Sequence, residues 1–187
     1  MLFRSPTGFP KCDVPSNRAF TNNKVIVARS YVALDSYTDT PPVANPVYST
    51  PDDTTPRDRV GHGTAIAMIA AGVQNTGPQG TIQGVAPKAF LGNYKIFGSP
   101  GVNDYALYAA FDKALLDAVA DGMDVVTLSL SEGNMPSYGP LDVDTTCSSD
   151  GSALPCDIYA QAVESAVSAG LVVVTAAGND GDRKSVV

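Results

Sequence analysis

Two stretches of the sequence, MDVVTLSL from Met123 to Leu130 and LVVVTAA from Leu171 to Ala177, are apolar almost without a break. Each follows a stretch with helical periodicity that stops at a glycine. Before the first, Leu107, Ala110, Phe111, Ala114, Leu115 and Ala118 form the stripe of an amphipathic helix, with Asn103 as N-cap and Gly122 as its end. Before the second, Asp157 is a cap, Tyr159, Ala162, Val163, Ala166 and Val167 form the buried side, and Gly170 ends the helix. Strands apolar on both faces and separated by helices predict an α/β fold: a parallel β-sheet with helices on both faces. Ligands in such sheets sit beyond the carboxyl ends of the strands, here just after Leu130 and Ala177.

The same alternation extends back to residue 61. HGTAIAMIAAGV, His62 to Val73, is apolar on every side and reads as a buried helix, and KAFLGNYKIF, Lys88 to Phe97, as a strand. Residues 1–60 are less regular. KVIVARSYV, Lys24 to Val32, is a β-branched strand candidate, but Asp35 to Arg59 carries five prolines among Thr, Ser and Asp and reads as a long loop, functional or inserted. We therefore expect one domain over 1–187, with 1–60 irregular and 61–187 the α/β core.

Composition narrows the function. Twelve basic against 19 acidic side chains give a formal charge of −7, which repels phosphates and anionic lipid, so nucleic-acid binding is not expected. No apolar run approaches the roughly 18 residues of a membrane span. The N-terminus lacks the apolar centre of a signal peptide, so the chain is cytosolic or its true beginning lies elsewhere. Cys147 and Cys156 bracket CSSDGSALPC, which suits either a disulfide-closed loop or two free thiols, and Cys12 has no partner in the sequence.

His62 is the only histidine, set between Gly61 and Gly63 at a helix start. A lone histidine is more often structural, but flanking glycines let other backbone approach an imidazole, which can then act as a general base. Asn179 follows the last strand. Such an asparagine often only caps a turn, yet its amide can also donate to an oxyanion, with the small Ala176, Ala177 and Gly178 leaving space beside it.

GHGTAIAMIAAG at 61–72, GVAPKAFLGNYKIF at 84–97, MDVVTLSLS at 123–131 and AVESAVSAGLVVVTAAGND at 162–180 resemble, in order, the blocks of subtilisin-like serine peptidases. CDVPSNRAFTNNKVIVARSYV resembles the segment between the catalytic Asp and His blocks of longer members. The resemblance implies that His62 is the general base and Asn179 the oxyanion-stabilising side chain. It implies that Ser129, Leu130 and Ser131 pair with an extended peptide, and that Ala176, Ala177 and Gly178 wall the primary specificity pocket. It also implies an extracellular enzyme acting on peptide or protein substrates and requiring no cofactor. Calcium is common in the family as a structural ion, and Asp52, Asp53, Asp180 and Asp182 are oxygen ligands in loops, although solvated acidic residues are the simpler reading. Ala65 and Ser131 depart from the family's usual His and Gly.

Family members also carry an Asp-Ser/Thr-Gly turn before the histidine and a Gly-Thr-Ser motif after the asparagine, and neither occurs in these 187 residues. Asp35 lacks the glycine, Ser152 precedes Asn179, and Asp58, four residues before His62, is flanked by Arg57 and Arg59 as in a solvated charge pair. The chain is thus expected to be an interior piece of a secreted subtilase, inactive alone and prone to self-association through exposed sheet edges. Two rivals are a non-catalytic subtilase-like module that binds peptides or partners, and an unrelated doubly wound module binding a small ligand; no nucleotide-binding glycine motif supports the latter.

Overall fold

A computed structural model describes residues 4–35, 53–99, 106–130, 143–144, 154–155 and 157–178. The chain divides into two compact units, Met1–Ala114 and Leu115–Val187.

In the first unit, strand β2 (Val25–Ser30) lies between β1 (Lys11–Cys12) and β5 (Leu91–Lys95), parallel to both. Its middle residues Ile26, Val27 and Ala28 are buried, as a strand packed on both faces requires. Residues inside the stretch expected to be irregular thus supply the central strand of this sheet. Pairing runs Ala28↔Asn93, Arg29↔Tyr94 and Ser30↔Lys95, and the Tyr31 N–H continues it to the Lys95 carbonyl at 2.8 Å. Short 3-10 turns at Pro15–Phe20 and Val32–Asp35 flank the strand. Asp35 is fully buried, and its Oδ1 accepts from the Leu107 N–H at 2.9 Å, tying the end of the second turn to the residue before helix α2 (Tyr108–Asp121). That role is structural, in keeping with the missing glycine after it. Asn103, the expected cap, lies outside the described residues.

Helix α1 (His62–Ala71) forms where expected but is not buried. Ala71 is its buried residue, while Ile69 is 65% exposed. Periodicity shows that all sides of the helix are apolar, but burial also requires neighbouring elements to cover them, and those are not set by the helix's own pattern. Its carboxyl end is held by backbone. The N–H groups of Gly84, Val85 and Ala86 donate to Gly72, Ile69 and Ala70 at 2.8–3.0 Å. Between these segments runs an exposed two-stranded ribbon, β3 (Asn75–Gly77) against β4 (Gly80–Ile82), in a stretch with no strand-like alternation in its sequence.

In the second unit, β6 (Val125–Leu128) and β9 (Val172–Thr175) pair in parallel, Val125↔Val172 through Leu128↔Thr175. A second antiparallel pair joins β7 (Val143–Asp144) to β8 (Leu154–Pro155). Helix α3 (Ile158–Ser168) is capped as predicted: the Asp157 carboxylate accepts from the Ala160 N–H at 2.8 Å. Ala162 and Ala166 are buried, but Val167, expected inside, is 47% exposed because it falls at the margin of the stripe.

Helices α2 and α3 end alike. Gly122 and Gly170 have φ of 78° and 97°. Their N–H groups donate to Val119 and Val167, and those of Met123 and Leu171 to Ala118 and Ala166. This pair of hydrogen bonds closes the last turn of each helix and aims the chain directly into β6 and β9. Among the described residues no helix is long and apolar enough to cross a membrane.

Candidate active site

His62 is the first residue of α1 and is exposed. Gly61, before it, has φ 89°, a conformation that an L side chain rarely adopts, so the turn into the helix requires glycine there. Gly63 has ordinary room, since an added Cβ would meet Asp58 Oδ2 at 3.8 Å.

Asp58 fixes this turn. Its Oδ1 accepts from the N–H groups of Val60 (2.8 Å) and Gly61 (2.7 Å), and its Oδ2 from the N–H (2.9 Å) and hydroxyl (2.7 Å) of Thr64. A helix start leaves N–H groups without internal partners and carries partial positive charge, and a carboxylate answers both. Desolvation pushes this carboxyl up, but the Thr64 hydroxyl and the Gly61, Thr64 and Val60 N–H groups together hold it well below the usual carboxylate range. Both oxygens of the exposed Asp58 carboxylate are therefore engaged by the helix start. This cap is not legible in the sequence because six residues separate Asp58 from Thr64, outside the usual capping-box spacing. An acidic residue just before a helix start was the available signal.

Asp53 takes Arg59 instead. Its Oδ2 meets Arg59 Nε and Nη2, both at 2.5 Å, and its Oδ1 accepts from the Thr55 N–H at 3.0 Å and hydroxyl at 2.5 Å. Desolvation opposes these bonds, yet the Thr55 and Arg59 donors and the guanidinium charge bring the carboxyl down to about 2. With both oxygens committed and a guanidinium against one of them, Asp53 does not fit a calcium ligand. Asp52, Asp180 and Asp182 lie outside the described residues.

In the second unit, Ser129 and Leu130 leave the carboxyl end of β6 half-buried, and Ala176, Ala177 and Gly178 leave that of β9 exposed. The Ala176 N–H donates to the Leu128 carbonyl at 3.0 Å, so the pairing extends one residue past β9 and holds the start of 176–178 against the last residue of β6. Gly178 has φ 80°, turning the chain immediately before position 179. Ser131 and Asn179 lie outside the described residues, as do Cys147, Cys156 and Ser152. A cavity of about 210 Å³ opens at the opposite, amino ends of the strands between Gly122, Met123, Gly170 and Leu171. It is a gap between two helix caps, not a continuation of the candidate site.

A model of the Subtilase family matches residues 20–187. The chain belongs to the subtilase family. Its relatives in Arabidopsis thaliana agree. Subtilisin-like protease SBT4.4 is 33% identical over 172 residues, 89% of this chain and 18% of that protein. A protein named CO(2)-response secreted protease is 35% identical over 144 residues, 72% of this chain and 16% of its own length. Subtilisin-like protease SBT1.9 is 37% identical over 132 residues, 67% of this chain and 16% of its own. The chain thus spans less than a fifth of the length of these relatives. Membership places it among serine-type peptidases and accounts for parallel strands alternating with helices in both units.

Proposed function

We propose that this chain is part of the catalytic domain of a secreted subtilisin-like serine endopeptidase. A seryl hydroxyl supplied from outside these 187 residues attacks the scissile carbonyl. His62 takes its proton and returns it to the leaving amine. Asn179 donates to the tetrahedral oxyanion, a contact worth about 2.7–4 kcal/mol in acyl-transfer enzymes. Ser129, Leu130 and Ser131 bind the main chain of an extended peptide, and Ala176, Ala177 and Gly178 border the pocket for one of its side chains. No cofactor enters this chemistry. The observation that supports the reading best is the chain's one histidine on a helix start anchored by Asp58, within a sequence matched to the family from residue 20 onward. The relative named a secreted protease supports the extracellular assignment.

Lacking both the Asp-Ser/Thr-Gly and the Gly-Thr-Ser blocks, the 187 residues alone do not hydrolyse peptides on this reading. A fluorophosphonate probe, which labels activated serines, should leave the purified chain unlabelled. A longer protease containing it should label, and His62→Ala should lower its kcat on the order of 10⁴-fold or more. Labelling of the isolated chain, or full activity without His62, would refute the assignment.

A further inference from the structure

We propose that Lys95 is a positioning residue for His62, acting through the segment 53–58; the inference rests on reading His62 as the general base. Lys95 ends β5, paired with Ser30 of the buried central strand. Its ammonium has three N–H donors, and they reach three carbonyls of one strap: Asp53 at 3.0 Å, Thr55 at 3.2 Å and Arg57 at 2.9 Å. Two residues earlier on the same strand, and so on the same face, Asn93 Nδ2 donates to the Pro56 carbonyl at 2.7 Å. Pro56 is itself fully buried. Four carbonyls within five residues are thus tied to one strand, and the next residue is Asp58, whose carboxylate receives Val60, Gly61 and Thr64.

Hydrogen bonds therefore run without a gap from the sheet to the turn that carries His62. The other backbone ties of α1, from Gly84, Val85 and Ala86, lie at its far end. Among the described residues, the strap links the first turn of the helix to the sheet through hydrogen bonds. Misplacing a catalytic group by about 1 Å can cost on the order of 10²-fold in rate, so loss of the strap should appear in kcat rather than in substrate binding.

Lys24 provides a matched control. Its ammonium also spans two loop carbonyls, those of Pro87 (2.9 Å) and Ala89, but among the described residues that loop adjoins the segment at the far end of α1 and makes no hydrogen bond to Asp58. In hydrogen exchange on the 187-residue chain, Lys95→Met should speed exchange across residues 58–64 about tenfold while leaving 25–30 at the wild-type rate. Lys24→Met should not speed 58–64. Equal exchange at 58–64 in Lys95→Met and wild type, or the same acceleration in Lys24→Met, overturns the proposal. Should Lys95→Met lose protection throughout, Asn93→Ala, which removes one donor, decides by the same criterion. In the longer protease, Lys95→Met should lower kcat tenfold or more at unchanged KM, and a rise in KM alone also overturns it. Absence of hydrolysis even in the wild-type protease, with the exchange result intact, would remove the catalytic reading of His62 and leave the strap standing.

Discussion

The Asp58 carboxylate accepts both the backbone N–H and the hydroxyl of Thr64, at 2.9 and 2.7 Å, and so ties a residue outside α1 to the first turn within it. Asp58→Ala should lower the unfolding free energy by about 0.5–2 kcal/mol, the usual cost of removing a helix cap. Asp58→Asn, which keeps one acceptor oxygen, should cost less. Urea titration of both variants measures the difference, and an Asp58→Ala chain as stable as wild type would contradict the capping role.

Acid should weaken the same region. Asp53 and Asp58 both have folded-state values below the roughly 3.9 of an unfolded aspartate. Their contribution is therefore complete above about pH 4 and is lost as pH falls through the folded values, about 2 for Asp53. Melting temperature followed from pH 6 to pH 2 should fall less steeply in Asp53→Asn and Asp58→Asn than in wild type, with no difference in slope between pH 5 and pH 8.

Three glycines should respond to alanine for different reasons. A Cβ on Gly84 would lie 2.4 Å from the Gly72 nitrogen and 2.6 Å from the Met68 carbonyl oxygen, backbone atoms that cannot swing aside. Gly84→Ala should cost about 1–3 kcal/mol or more by forcing the helix end and its partner segment apart. Gly122 and Gly170 have open space around them but positive φ, so their alanine variants bear only the left-handed backbone cost of about 1–2 kcal/mol. Parallel denaturation curves should rank Gly84→Ala as the most damaging and the only one to loosen 68–72 in hydrogen exchange.

Val125, Val172 and Val174 stand 50–57% exposed, with Val125 paired to Val172 across the ladder and Val174 to Thr127. This apolar face should drive association of the isolated chain. Sedimentation velocity should show species larger than a monomer, reduced by Val172→Thr with Val174→Thr. A monodisperse wild-type monomer would show that the face does not drive association.

The strands at 25–30, 91–95, 125–128 and 172–175 and the three helices were all legible, because each rests on a local period or an apolar run that a few neighbouring residues specify. The same holds for the Asp157 cap and the glycine stops at 122 and 170, where a side chain bonds its own helix or the backbone needs positive φ. The β3–β4 ribbon is not legible in the sequence because the three-residue strands Asn-Thr-Gly and Gly-Thr-Ile have no hydrophobic alternation to read.

The sequence alone determined the kinds of elements, their order, and the placement of His62 at a helix start and of 176–178 at a strand end. Those follow from local backbone preference and from motifs that stay contiguous along the chain. Tertiary structure decided which groups meet. Lys95 finds carbonyls about 40 residues away, Asp35 an N–H 72 residues away, and Asp58 turns from its neighbouring arginines to the helix. It also decided that α1, apolar on every side, is largely uncovered. Hydrogen bonds and burial depend on what folding brings within about 3–4 Å, and periodicity along the chain carries no information about that.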